Sequence, residues 1–100
     1  MEVQYNNLYT HFVFTTLNRM PLIQEQFRQR IEKYITGIVN NNHCHLYAIY
    51  ANPEHVHFLV SRTPSLDEES LATIIANRSE KFINDNKLCV GLFCFDKKSK

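Results

Sequence analysis

Two histidines spaced i, i+2 stand in the stretch Ala51-Asn52-Pro53-Glu54-His55-Val56-His57-Phe58-Leu59-Val60-Ser61. Side chains alternate across a strand, so His55 and His57 point to one face while Val56, Phe58 and Val60 point to the other. Imidazole titrates near ~6.5, so at neutral pH both rings are largely uncharged and each offers a lone pair to a metal ion. Two rings leave most of a coordination sphere open. A carboxylate, a carboxamide or a substrate oxygen has to complete it. Glu54 is adjacent, but alternation points it away from His55, which leaves the third ligand unassigned.

The elements that position these rings follow from periodicity. Leu8-Tyr9-Thr10-His11-Phe12-Val13-Phe14-Thr15-Thr16 is rich in aromatic and β-branched residues and reads as a first strand, after a polar lead-in over Met1 to Asn7. Pro21 ends the extended run. Ile23, Phe27, Ile31, Tyr34, Ile35 and Ile38 then recur at steps of three and four, which predicts an amphipathic helix that stops at Asn40-Asn41-Asn42.

His43 to Tyr50 reads as a second strand, and the short Ala51-Asn52-Pro53-Glu54 link makes a hairpin with the strand from His55 to Arg62. Ser65 and Glu68 have capping-box spacing ahead of a second helix, whose stripe is Leu71, Ile74, Ile75, Phe82 and Ile83. Leu88 to Phe95 is the expected last strand. The order β-α-β-β-α-β predicts an α+β fold, a ferredoxin-like split βαβ sandwich with a four-stranded antiparallel sheet and both helices on one face. The first and third strands are then central neighbours, and the open sheet face carries His55 and His57.

The bulk composition narrows the classes. At 100 residues the chain makes one domain, read as 1-100, and 44% apolar with 21% charged residues is a globular balance. A formal net charge of +1 neither requires nor excludes a nucleic-acid partner, since a basic face can hide in a neutral total. Three cysteines without C-x-x-C spacing argue against a disulfide framework or a zinc ribbon and for a reducing compartment. No apolar run approaches a membrane-spanning length, and no signal-like leader stands at the start. A cytoplasmic protein is expected.

Other candidates are weaker. In a hairpin centred on Asn52 and Pro53, Tyr50 lies opposite His55 and Ala48 opposite His57. Tyr50 is therefore an outside candidate for a nucleophile, though a cross-strand aromatic partner is the plainer reading. His43 and His45 fall on the face shared with Val56 and Phe58 and read as partly exposed strand-end residues. Tyr34 belongs to the first helix's apolar stripe, and Ser79 to the second's, as a small residue allowing close packing. Arg62, Arg78 and Lys81 could meet phosphates but equally serve as solvated charges.

Taken in order, these residues resemble a known family, the single-tyrosine HUH transposases of the smallest bacterial insertion sequences and the related REP-associated tyrosine transposases. The resemblance rests on Tyr9-Thr10-His11-Phe12-Val13-Phe14 with a basic turn at Arg19. It rests also on Asn52-Pro53-Glu54-His55-Val56-His57-Phe58-Leu59-Val60, similar to Met-Pro-Asp-His-Val-His and a following apolar run. The third element is Arg78-Ser79-Glu80-Lys81-Phe82-Ile83-Asn84, similar to a Lys/Arg-Ser-Ser-Lys helix. Together these span most of residues 8 to 86.

The resemblance implies a ferredoxin-like sheet, a homodimer in a bacterial cytoplasm, and cleavage and rejoining of single-stranded DNA at hairpin-marked transposon ends. His55 and His57 would be the metal ligands, with Mg²⁺ or Mn²⁺ as the ion, and Arg19, Arg78 and Lys81 would contact DNA. In the family a tyrosine on a helix after the last strand attacks the phosphate, and a Gln or Asn four residues later completes the metal site. Here no tyrosine follows Tyr50, and Phe93-Cys94-Phe95-Asp96 stands where a Trp-Gln-Gly-Tyr segment is expected. The chain is thus expected to carry the metal half of the site, with the tyrosine beyond Lys100. A hairpin-binding or single-strand-binding remnant without cleavage is the alternative, and a plain interaction domain with an incidental histidine pair is a third.

Overall fold

A computed structural model describes residues 2–5, 9–61 and 67–96. The strands are β1 (Glu2–Tyr5), β2 (Tyr9–Thr15), β3 (Leu46–Ala51) and β4 (His55–Ser61), and the helices α1 (Arg28–Asn41) and α2 (Glu68–Asp85). The class is α+β, and every strand pair is antiparallel, in the order β1-β2-β4-β3. The two central strands are therefore β2 and β4, which carry the apolar runs of highest β-propensity.

Alternation along these strands produces two unlike faces. Phe12, Phe14, Val56, Phe58 and Val60 are buried, whereas His11, Val13, Thr15, His55, His57 and Leu59 are half-buried. Ile31, Ile35, Ile38 and Val39 of α1 and Leu71, Ala72, Ile75 and Ile83 of α2 close over the first set in one core. Stacked and edge-to-face rings of Phe12, Phe14, Phe58, Phe93 and Phe95 run through it. Among the described residues, no helix lies on the opposite face of the sheet.

The expected β-α-β-β-α-β order requires correction at both ends. The polar lead-in is a strand, β1, which pairs with β2 from Glu2↔Val13 to Tyr5↔Thr10. The predicted last strand, Leu88 to Phe95, does not form, and only a single bridge joins Phe95 to Thr16. Its backbone groups are claimed by side chains of α2 instead. Phe93 donates its N–H to Asn84 Oδ1 at 2.8 Å and accepts from Asn84 Nδ2 at 3.1 Å, while Phe95 N–H donates to Glu80 Oε2 at 2.8 Å. The edge of β2 that such a strand would use already holds β1. Phe93 and Phe95 still sink into the core, so the apolar signal was a packing signal rather than a ladder signal.

Helix boundaries shift for similar local reasons. Ile23 is buried but precedes α1, where a 3₁₀ turn at Glu25–Phe27 intervenes. The capping box expected at Ser65 and Glu68 is not the cap. Ser65 lies outside the described residues, and Asp67 caps α2 by accepting from Ser70 N–H at 2.8 Å and Ser70 Oγ at 2.9 Å.

Candidate nucleic-acid and metal site

The histidine pair stands at the mouth of the β3–β4 hairpin, which a tight turn through Pro53 and Glu54 closes with Asn52 N–H donating to the His55 carbonyl at 2.7 Å. Thr16, fully buried, fixes that turn from β2's end: its N–H and its hydroxyl both donate to the Glu54 carbonyl, at 2.9 and 3.1 Å. The hydroxyl also donates to the Met20 carbonyl at 2.6 Å, which folds back the turn bearing Arg19. Ile23 N–H donates to the Pro53 carbonyl at 3.0 Å. Three backbone and side-chain bonds thus hold the two sides of the site's rim together.

On that frame the His55 and His57 rings lie 5.1 Å apart, centre to centre, on the open face as expected. His55 Nδ1 is 3.3 Å from Glu54 Oε2, and His55 Nε2 is 3.2 Å from Asn52 Nδ2. Both contacts are satisfied when Nδ1–H donates to the carboxylate and the Nε2 lone pair accepts from the amide. A carboxylate behind one ring nitrogen fixes the tautomer, and an ion at Nε2 would take the lone pair that the Asn52 amide now holds. Glu54 is a turn residue, outside the strand's alternation, so the expectation that it points away from His55 does not hold. It orients the ring.

Burial, then His55, then His11 hold the pKa of His57 below the ordinary imidazole value, so this ring keeps its lone pair into mildly acidic conditions. His11 is the residue that sequence reasoning passed over. Its ring lies 5.8 Å from that of His57, on the neighbouring strand, because β2 and β4 pair with His11 opposite Leu59 and Val13 opposite His57. The signal was its alternation with Tyr9 and Val13, but only strand pairing turns that into proximity. Among the described residues no three His, Cys, Asp or Glu side chains converge tightly enough to hold an ion by themselves. The residues fit a two-imidazole partial site that needs further oxygen ligands.

The remaining candidates separate in space. Tyr50 lies opposite His57, not His55, since the hairpin register runs two residues from the expected one. Its ring carries the Arg28 guanidinium at 4.7 Å, and Arg28 in turn bonds Glu32 at 2.8 Å. Glu32 accepts from Ala51 N–H at 3.0 Å, which shields part of the outer edge of β3. Arg19 is exposed on the turn tied to Thr16, near the Glu54 end of the site. Arg78 and Lys81 are exposed on α2, the helix side of the sheet, and Lys81 pairs with Asp85 at 2.9 Å. The structure does not bring them to the histidine face. Arg62 lies outside the described residues.

His43 and His45 correct another expectation. A bulge at Tyr47 places Leu46 opposite Val60 but Ala48 opposite Leu59, and His45 is exposed with its ring 4.5 Å from that of Tyr47, edge to face. It does not share the core face with Val56 and Phe58. Tyr34, between the helices, stacks on Phe82 at 4.0 Å.

Comparison with known proteins addresses the family and the fold. The family model described as transposase IS200 like matches residues 4–93. A crystal structure of a candidate transposase from Deinococcus radiodurans R1 superposes with a TM-score of 0.64 at 20% identity, covering 97% of this chain and 82% of that one. At that identity the likeness speaks for the fold. A search of curated proteins finds no match. The family match spans both the histidine strand and α2 with its flanking segments, and the chain belongs to the IS200-like transposases, a family of DNA transposition.

Proposed function

We propose that this chain supplies the metal-binding, DNA-facing half of a single-strand DNA transposase that cuts and rejoins through a phosphotyrosine intermediate. The observation that carries the reading is the His55 and His57 pair, 5.1 Å apart on an open sheet face, with His55 held between Glu54 and Asn52. His55 and His57 would hold a divalent ion, Mg²⁺ or Mn²⁺, through one nitrogen each. Such an ion, when bound, polarises a phosphate oxygen. Both are hard ions that prefer oxygen, so two imidazoles favour weak binding until DNA adds its phosphate. Glu54 would fix the His55 tautomer, the ion would displace the Asn52 amide from Nε2, and the exposed Arg19 would meet the strand at the turn side. The β2-β4-β3 order with two helices on one face supports a ferredoxin-like plan for this part of the chain.

The tyrosine hydroxyl that attacks phosphorus is, in this reading, none of Tyr9, Tyr34, Tyr47 and Tyr50. Tyr34 is stacked between helices, Tyr50 lies under Arg28, and Tyr9 and Tyr47 contact each other at 5.1 Å toward the other end of the sheet. The same geometry favours a second reading, in which this polypeptide binds single-stranded or hairpin DNA without cutting it. A homodimer that pools two such faces is part of the first reading.

Titration calorimetry with Mn²⁺ tests the site. The wild type binds, and a His55→Ala/His57→Ala variant with unchanged circular dichroism does not. Equal binding by both proteins would overturn the assignment. Incubation with hairpin-bearing single-stranded DNA and Mn²⁺ separates the two readings: covalent protein–DNA adduct supports the first, and binding with intact DNA supports the second.

A further inference from the structure

The histidine pair occupies one end of the open face, where Thr15 lies opposite His55. At the other end, where Tyr9 lies opposite Ser61, three rings gather that the metal reading does not use. Tyr47 is 53% exposed, with Tyr9 at 5.1 Å and His45 at 4.5 Å, each nearly perpendicular to it. His45 is pinned there by the strand: its N–H donates to Ser61 Oγ at 3.2 Å, and Ser61 N–H donates to its carbonyl at 2.8 Å.

The bulge explains how this cluster is built. Two successive residues, Tyr47 and Ala48, are both exposed, whereas Leu46 and Ile49 on either side are half-buried against the core. Without the extra residue, alternation would turn either Tyr47 or Ile49 to the wrong side. A bulge that adds one outward aromatic while keeping both inward residues re-aims a side chain, which is the common use of bulges near functional sites.

We propose that Tyr47, with Tyr9 and His45 supporting it, is a base-stacking platform for the single strand whose phosphate the histidine pair meets. The proposal rests on the DNA-facing reading above and names a second subsite for it. Four residue steps along β2 lead from Val13, opposite His57, to Tyr9, a span of roughly 14 Å at about 3.4 Å per residue. That length suits a few nucleotides, and His11, Leu59 and Ala48 form the sheet surface between the two ends. Phosphate at the imidazole end and bases at the aromatic end divide the labour as single-strand binders do, where every base has a π-face and stacking tolerates sequence. A single strand, rather than a duplex, is the committed occupant because only unpaired bases can reach a flat sheet.

Fluorescence anisotropy with a labelled single-stranded oligonucleotide tests it on the full chain, alongside an abasic oligonucleotide of equal length. Tyr47→Ala weakens binding to the base-bearing strand by about 5- to 150-fold, the range expected for one stacked base, and leaves Mn²⁺ binding unchanged. Tyr47→Phe keeps the ring and most of the affinity, and unchanged Mn²⁺ binding by Tyr47→Ala separates a lost stacking contact from a loss of folding. If the wild type binds but Tyr47→Ala binds equally well, or if the abasic strand binds as tightly as the base-bearing one, the platform is overturned and the histidine reading survives. If the wild type binds neither DNA nor Mn²⁺, both fall together. Self-association abolished by Tyr47→Ala, without an effect on DNA, would make the cluster a contact between copies and overturn the proposal.

Discussion

At the scale of single residues, the site depends on what stands behind each ring rather than on the rings alone. His55 has a carboxylate on one nitrogen and an amide on the other, while burial, ahead of His55 and His11, lowers the pKa of His57. Outer partners of metal-binding histidines commonly contribute 10- to 100-fold in affinity, because they fix the tautomer and raise basicity. Glu54→Gln is therefore expected to weaken Mn²⁺ binding by about tenfold without altering the fold. Titration calorimetry checks it, and an unchanged affinity would show that Glu54 serves only the turn. The His-x-His spacing was readable in the chain because alternation is a local property. The role of Glu54 was not, because a turn residue escapes the alternation used to place it.

At the scale of elements, side chains decide where strands and helices stop. Asn84 and Glu80 take the hydrogen bonds that Phe93 and Phe95 would need for a ladder, so an apolar run that looks like a strand becomes a strap over the core. Asp67 begins α2, and the bonds from Ser70 N–H and Oγ, the former first, hold its pKa below the ordinary carboxylate value. A carboxylate with a depressed folded-state pKa contributes stability that is present above its unfolded value near ~3.9 and is lost as pH falls through the folded value. Asp67→Asn keeps a capping oxygen but has no charge to titrate. Urea midpoints at pH 6 and pH 3 are expected to fall less for Asp67→Asn than for the wild type. Equal losses would mean that the cap does not contribute to acid sensitivity.

At the scale of the whole molecule, one core carries both helices and one sheet face, and the other face holds the proposed site. The core has one polar flaw among the described residues. Ser79 of α2 is 1% exposed, and its hydroxyl finds no hydrogen-bond partner. It is small enough for the helix to approach the sheet, but a buried unpaired hydroxyl costs about 1–3 kcal/mol. Ser79→Ala keeps the shape and removes the polar atom, so it is expected to stabilise the fold by about 1 kcal/mol in urea denaturation. Loss of stability instead would mean that the hydroxyl is hydrogen-bonded in solution and would overturn the expectation.

The amino-acid sequence by itself determined the α+β class, both helices, the central strands and the shared face of His55 and His57, because each follows from a local period of two or of about 3.6. It also carried the family resemblance, through contiguous motifs. Tertiary structure decided the rest. The slot beside β2 went to Glu2–Tyr5, which was too short and polar to stand out by pattern. Pairing of β2 with β4 brought His11 beside His57, and the bulge at Tyr47 set the aromatic cluster on the open face. Placement of Arg19 on the turn tied to Thr16, and of Arg78 and Lys81 on α2, was settled in the same way. Each of these depends on which distant backbone groups find one another, and competition for those hydrogen bonds is a property of the folded chain.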